Sequence, residues 1–308
     1  MSETAVSEVQ AVDNVAAVPV EAQISRRHEV NTRGATLRAI YIIWYRDVLR
    51  YYRDRWRLLA SLAQPILFLL VFGTGLSSSL RGATAGLGST AGGGLQYQQF
   101  IYPGIIGMAV LFTAIFGAMS IVWDREFGFL KEVLVAPINR AAVAIGKTLG
   151  GATQAMLQGL LLLVLAPLVG VTLTWQGVLE LIPLIFVYAF ALSALGVAVG
   201  ARMRSMQGFQ VVMNFLMMPM FFLAGALFSL RGLPAWMTVL TRLDPASYGI
   251  DPLRRTVLGA AGVPSRVLDT LGLTLFGQTL SIWVEEALLI AFGFVMLSFA
   301  IRSFQHRD

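Results

Sequence analysis

The chain has 308 residues, 56% of them hydrophobic and only 13% charged, against about 45–50% and about 25% in an average soluble domain. With a mean hydropathy of +0.71, that excess excludes an ordinary soluble enzyme and predicts uncharged runs of bilayer-spanning length. There is no cysteine, and the two histidines, His28 and His306, stand at opposite ends, so disulfides are impossible and no metal site is expected; in such a chain a net charge of +6 reports membrane orientation and lipid contact rather than nucleic-acid binding.

In chain order, residues 1–33 lack Phe, Tyr and Trp, carry Glu3, Glu8, Asp13, Glu21 and Glu29, and have no signal-peptide pattern. They read as a disordered cytoplasmic tail. Residues 34–57 turn basic and aromatic. At about 100° per residue, Arg46, Arg50, Arg53 and Arg57 fall on one stripe and Leu37, Ile40, Tyr41, Trp44, Val48 and Tyr51 on the other. That pattern predicts an amphipathic interfacial helix with its guanidinium groups on lipid phosphates, and Arg55 snorkelling from the apolar side.

Residues 58–308 read as a transmembrane domain. A bilayer core of ~30 Å needs about 20 apolar residues in a helix, and six segments qualify: Leu58–Leu76, Phe100–Trp123, Leu149–Val171, Leu181–Ala201, Phe209–Leu230 and Trp283–Ile301. Of the 23 Lys and Arg, 17 fall before the first span, in the second and fourth loops, or after the last span, so the positive-inside rule places both ends in the cytoplasm. Residues 77–98, rich in Gly, Ser, Thr and Ala, read as a flexible tether. The outer segment 231–282 is better structured, and its apolar patch Leu271–Leu280 is too short to span and is expected to be interfacial or re-entrant.

Candidate chemistry is sparse. Gly146, Lys147 and Thr148 look like the end of a phosphate-binding loop, but the opening glycine would stand at Ala141 and no strand precedes it. Lys147 therefore reads as an interfacial snorkeler, and ATP, if used, is hydrolysed elsewhere. Glu285 and Glu286 fit either a helix N-terminus or a cation or proton site. Ser61, Ser120, Ser193 and Ser281 have no His or Lys placed to activate them, and Gly73 with Gly75, Gly146 with Gly150, and Gly196 with Gly200 suit close helix contacts. Soft, large side chains including Phe116, Met119, Met213, Met217 and Phe221 would line a path for a lipophilic solute; the same residues suit lipid-facing or packed positions.

The loop from Asp124 to Arg140, containing Glu126, Phe127, Gly128, Leu130, Glu132 and Pro137, resembles the signature of type-2 ATP-binding-cassette (ABC) exporter permeases, especially their daunorubicin-resistance-like branch. Phe222–Phe228, Leu233, Pro234 and Trp236, then Asp244, Pro245, Tyr248, Asp251, Leu253 and Arg254, are similar to that family's pattern around the fifth span and the following outer segment. Many members have Thr after the loop glycine where this chain has Phe129, which favours the drug-exporter-like branch over the exporters of polysaccharide or glycolipid. The resemblance implies an all-α, six-span permease with short re-entrant helices before the last span, residues 124–140 acting as a coupling helix, and a second permease, either another copy or a related chain. It also implies two separate ATPase subunits that carry the ATP and Mg, with no cofactor in this chain. The implied activity is export of drug-like molecules or lipids across the cell membrane; an ion-coupled carrier is disfavoured by the charge-poor spans.

Overall fold

The computed structural model describes residues 32–84, 97–127, 139–230, 232–264, 268, 271–275 and 278–305. Ala39–Asp308 forms one compact unit, mostly helical. The first helix, α1 (Thr32–Arg53), begins inside the expected tail, and the chain breaks at Asp54 before α2 (Arg55–Thr84). Arg55–Arg57 therefore open the second helix instead of closing the first. α1 also differs from a helix lying only in lipid: its inner face is Ile43, Asp47 and Tyr51, all buried, while Tyr41 and Tyr45 stay exposed.

That inner face docks on α5 (Arg140–Val164), turn by turn. The Trp44 indole donates to Thr153 Oγ1 (3.0 Å), Gln154 Nε2 to the Asp47 carbonyl (3.1 Å), and the Tyr51 hydroxyl to Gln158 Oε1 (3.1 Å). Gly146 and Gly150 permit the approach, since a Cβ added there would lie 2.9 Å from Ile43 Cβ and 3.2 Å from Asp47 Cβ. Gly196 similarly meets the Ile115 carbonyl, whereas nothing lies within 4 Å of Gly75, so the small-residue pairs mark helix contacts in part only.

α2 carries Pro65 within it. Proline has no N–H to give to the residue four before it, which would orphan the Ser61 carbonyl; Gln158 Nε2 supplies that bond at 3.1 Å. The helix runs to Thr84, well into the expected tether, of which residues 85–96 lie outside the described residues.

α3 (Tyr97–Gly117), buried over most of its length, breaks at Ala118 and continues as α4 (Met119–Glu126). α5 starts at Asn139, whose side chain accepts from Ala141 N, and a 3-10 turn (Ala166–Val169) follows it. α6 (Trp175–Gly200) and α7 (Met206–Leu223) open on Thr174 and Ser205, whose hydroxyls accept from Gly177 N and Gly208 N. These side chains satisfy amides that a helix start leaves unbonded, and they place α5 and α6 several residues earlier than hydropathy alone does. α7 ends at Leu223, short of the expected Leu230.

Beyond it come α8 (Ala235–Leu243) and α9 (Pro245–Ala260), the latter capped by Asp244 and opened by Pro245. The patch expected to be interfacial contains a two-stranded antiparallel hairpin, β1 (Thr274–Leu275) with β2 (Gln278–Thr279). α10 (Ile282–Gln305) is last. α6 is central, packed against α3, α5, α9 and α10. Gly249 of α9 lies so close to the Tyr188 ring that a Cβ would stand 2.1 Å from it.

Among the described residues, four helical segments are long and apolar enough to cross a membrane: Tyr97–Glu126, Trp175–Gly200, Met206–Leu223 and Ile282–Gln305. A fifth arises if Gly34–Arg53 and Leu58–Gly73, bent by 69°, count as one. Of the six expected spans, α2 passes only in that pair, and α5 falls short because Lys147, Gln154 and Gln158 interrupt its apolar run.

Candidate functional site

At one end of the bundle, three helices bring charges together in the interior. Lys147 of α5, 4% exposed, holds Asp124 Oδ2 of α4 at 2.9 Å and Asp47 Oδ2 of α1 at 3.1 Å. Arg46 Nη2 lies 3.2 Å from the same Asp124 oxygen and 3.5 Å from Asp47 Oδ1. Two carboxylates and two cations thus neutralise one another where an isolated charge would be strongly disfavoured. Lys147 is not an interfacial snorkeler: its ammonium points inward because both its acceptors are there. The expectation that no lysine reaches a span serine is also overturned, since Lys147 Nζ donates to Ser120 Oγ at 3.1 Å. Ser120 is no nucleophile for that reason. Its proton goes to the Gly117 carbonyl (3.1 Å), and the Lys147 ammonium donates to it rather than accepting from it.

Both ends of the 124–140 loop are tied to the bundle, the start through Asp124 of the cluster as well. Arg125 Nη1 donates to the Met203 carbonyl (2.6 Å), and Glu126 Oε2 accepts from Met206 N (2.9 Å), tying the loop's start to the α6–α7 connection. Arg140 Nη1 donates to the carbonyls of Gln305 (3.0 Å) and Phe304 (3.3 Å), tying its end to the last helix. Phe127 is 68% exposed and leans on Trp123, ring centroids 5.5 Å apart. Gly128, Leu130, Glu132 and Pro137 lie outside the described residues.

Against the cluster lies a cavity of about 500 Å³, walled by α1, α2, α3, α4 and α5. Its lining is mixed: Asp47, Arg50, Ser61, Gln64, Ser120 and Gln154 are polar, and Met108, Phe112, Phe116 and Met119 are large and apolar. Phe116 and Met119 were expected on a solute path and are here. Met213, Met217 and Phe221 are not: they are buried in the core, with the Phe221 ring against Phe112 and Phe68, because α7 turns that face toward α3 rather than toward a void.

The five expected residues of the outer segment are brought together around α9. Asp244 caps it, and burial pushes that carboxyl up to about 7 against the opposing bonds from the Ala246 amide and Ser247. The Tyr248 hydroxyl donates to the Arg242 carbonyl (2.7 Å). Fully buried Arg254 donates to the Gly225 carbonyl and lies 4.6 Å from the Phe100 ring centroid. Asp251 Oδ2 takes Arg255 Nη2 at 2.9 Å and Leu273 N at 2.8 Å, while the same Nη2 holds Glu285 Oε1 at 2.5 Å. Glu285 thus ties α10 to α9 instead of resting at an aqueous helix end, and Glu286 beside it is buried too. Among the described residues no group of three or more His, Cys, Asp or Glu suits a metal. The residues that sequence reasoning missed are Arg46, Asp47, Gln154, Gln158 and Arg255, all bonded across helices.

A bundle of long apolar helices with an ion-paired interior and a cavity beside it is the architecture of a multi-pass membrane protein. Residues 38–258 match the ABC-2 type transporter family, and the chain belongs to it. The chain is 28% identical over 229 residues to Nodulation protein J of Rhizobium leguminosarum bv. viciae, covering 73% of this chain and 82% of that protein. It is 26% identical over 231 residues to the Inner membrane transport permease YadH of Escherichia coli (strain K12), covering 73% and 85%.

Proposed function

We propose that this chain is the membrane-spanning subunit of an ATP-driven exporter of amphipathic or lipophilic compounds, drug-like molecules or lipids. In this reading it crosses the cell membrane six times, α2 and α5 included, with both ends in the cytoplasm. It pairs with a second permease, another copy or a related chain, and engages two separate ATPase subunits that hold ATP and Mg. Residues 124–140 dock on the ATPase as a coupling helix, and the outer segment 231–282 closes the far side. Family membership and similarity to proteins named as transport permeases support the class.

The observation that carries the mechanism is the pinning of the loop. Asp124 and Lys147 flank it on both sides, bond each other at 2.9 Å, and belong to helices that wall the cavity. A displacement of the loop imposed by ATPase closure is then passed to the cavity wall through a short, stiff ionic contact, biasing inward-open against outward-open states. The test is reconstitution with the ATPase in liposomes and measurement of ATP-dependent solute movement. The proposal requires movement only with both subunits and hydrolysable ATP; movement driven by an ion gradient with this chain alone would overturn it.

A further inference from the structure

We propose that the cavity beside the ion cluster takes an amphiphile with an anionic head group, its head at Arg50 and its tail among Met108, Phe112, Phe116 and Met119. The inference rests on the transport reading and names the chemistry of the cargo at that same site.

Charge accounting at the cavity carries it. Asp47 is the acidic side chain of the lining, Asp124 belongs to the cluster beside it, and both are taken: Asp47 has Lys147 at 3.1 Å and Arg46 at 3.5 Å, and Asp124 Oδ2 has the same two cations at 2.9 and 3.2 Å. A cationic head group would have to displace one of them, and with it a contact anchoring the loop. Arg50 is different. It lines the cavity, makes no ion pair among the described residues, and sits with its guanidinium carbon 5.6 Å from the Trp123 ring centroid. Stacking on an indole orients a guanidinium while leaving its in-plane N–H groups open, and those match a phosphate or carboxylate fork. The cavity thus borders a neutral cluster and carries one additional positive charge. Its rings and thioethers accommodate chains of varied shape. At about 500 Å³ the cavity lies within the roughly 300–1,000 Å³ of small-molecule sites, large enough for a single tail with the head left at the exposed rim.

The experiment uses the full chain in phosphatidylcholine nanodiscs without any ATPase. Brominated lipids of identical chains and three head groups (phosphatidylglycerol, phosphatidylcholine and a trimethylammonium lipid) quench tryptophan, and the Trp123 contribution is obtained by subtracting the signal of Trp123→Phe. The expected result is half-maximal quenching at a roughly threefold to fivefold lower mole fraction for phosphatidylglycerol than for phosphatidylcholine, the size of one partly exposed ion pair. Arg50→Gln abolishes that preference, Arg50→Lys keeps part of it, and Thr113→Phe, which adds a ring to the cavity wall, weakens quenching by the anionic lipid. The proposal is overturned if the trimethylammonium lipid quenches at an equal or lower fraction, if the preference survives Arg50→Gln, or if it survives Thr113→Phe, which would place the lipid on the outer surface instead. Since no ATP or ATPase is present, a failure here leaves ATP-driven transport standing, and a failure of transport leaves this head-group preference standing.

Discussion

Replacing Lys147 by Met distinguishes a buried ionic tie from a lysine at a membrane surface. Met preserves the length of the side chain and removes its charge, leaving the Asp47 and Asp124 carboxylates, 7% and 11% exposed, facing each other. Removing one partner of a buried pair costs about 3–5 kcal/mol, because the remaining charge stays buried without compensation. Arg46 remains within 3.5 Å of one carboxylate and 3.2 Å of the other. Being 42% exposed, it offsets only part of the loss, so the expected cost is about 3 kcal/mol, the lower end of that range. The measurement is the unfolding midpoint of detergent-purified protein as the mole fraction of dodecyl sulfate rises, compared with the parent. Adding Asp47→Asn to Lys147→Met removes one of the two uncompensated charges and is expected to restore at least half of the loss, a coupling within the roughly 0.5–3 kcal/mol of contacting residues. A snorkelling lysine would cost less than about 1 kcal/mol on replacement, with no rescue. A midpoint for Lys147→Met indistinguishable from the parent, or a double variant worse than the single, would refute the buried-cluster reasoning. ATP hydrolysis by the assembled complex should persist in either variant, since the Lys147 ammonium is engaged by two carboxylates inside the bundle.

On the coupling loop, Leu130→Ala should weaken assembly with the ATPase by about 1–3 kcal/mol, read as co-purified ATPase, whereas Glu132→Lys should leave hydrolysis running but unresponsive to cargo. Because the chain has no native cysteine, Ser89→Cys and Arg204→Cys can be compared in intact cells with an impermeant thiol reagent; Ser89→Cys should react and Arg204→Cys should not, and the reverse would overturn the orientation. Arg255→Met should destabilise by about 3–5 kcal/mol because it leaves Asp251 and Glu285 facing each other, and Glu285→Gln in the same chain should recover part of the unfolding midpoint.

Hydropathy located most of the helices because lipid imposes a length and a composition on whatever crosses it. It failed at the ends, where local chemistry decides. Asn139, Thr174 and Ser205 each precede their helix and accept from a backbone amide two or three residues on, a signal present in the sequence that hydropathy averages away. The 274–279 hairpin was not legible, since two paired residues per strand are too few to show a period of two. α5 was placed correctly as a helix but read as more apolar than it is, because its polar residues face α1 and α2 and not lipid.

The ion cluster was illegible for a different reason. Lys147 meets Asp124 across 23 positions and Asp47 across 100, and no spacing rule connects residues on three helices. One sign was available. Asp47 lies on the face of α1 that also carries Ile43 and Tyr51, so a helix that buries this face also buries a carboxylate, at a cost of several kcal/mol unless a cation meets it. A carboxylate on an inner face therefore predicts a basic partner at the same depth on a neighbouring helix. Lys147 stands between Thr148 and the small residue Gly146, one turn from Gly150, on the stretch of α5 where the close approach of α1 is sterically possible. The small residues that admit α1 and the lysine that neutralises its acid are thus parts of one requirement, and the same contact that permits α1 to pack is the one that joins it to the two ends of the loop.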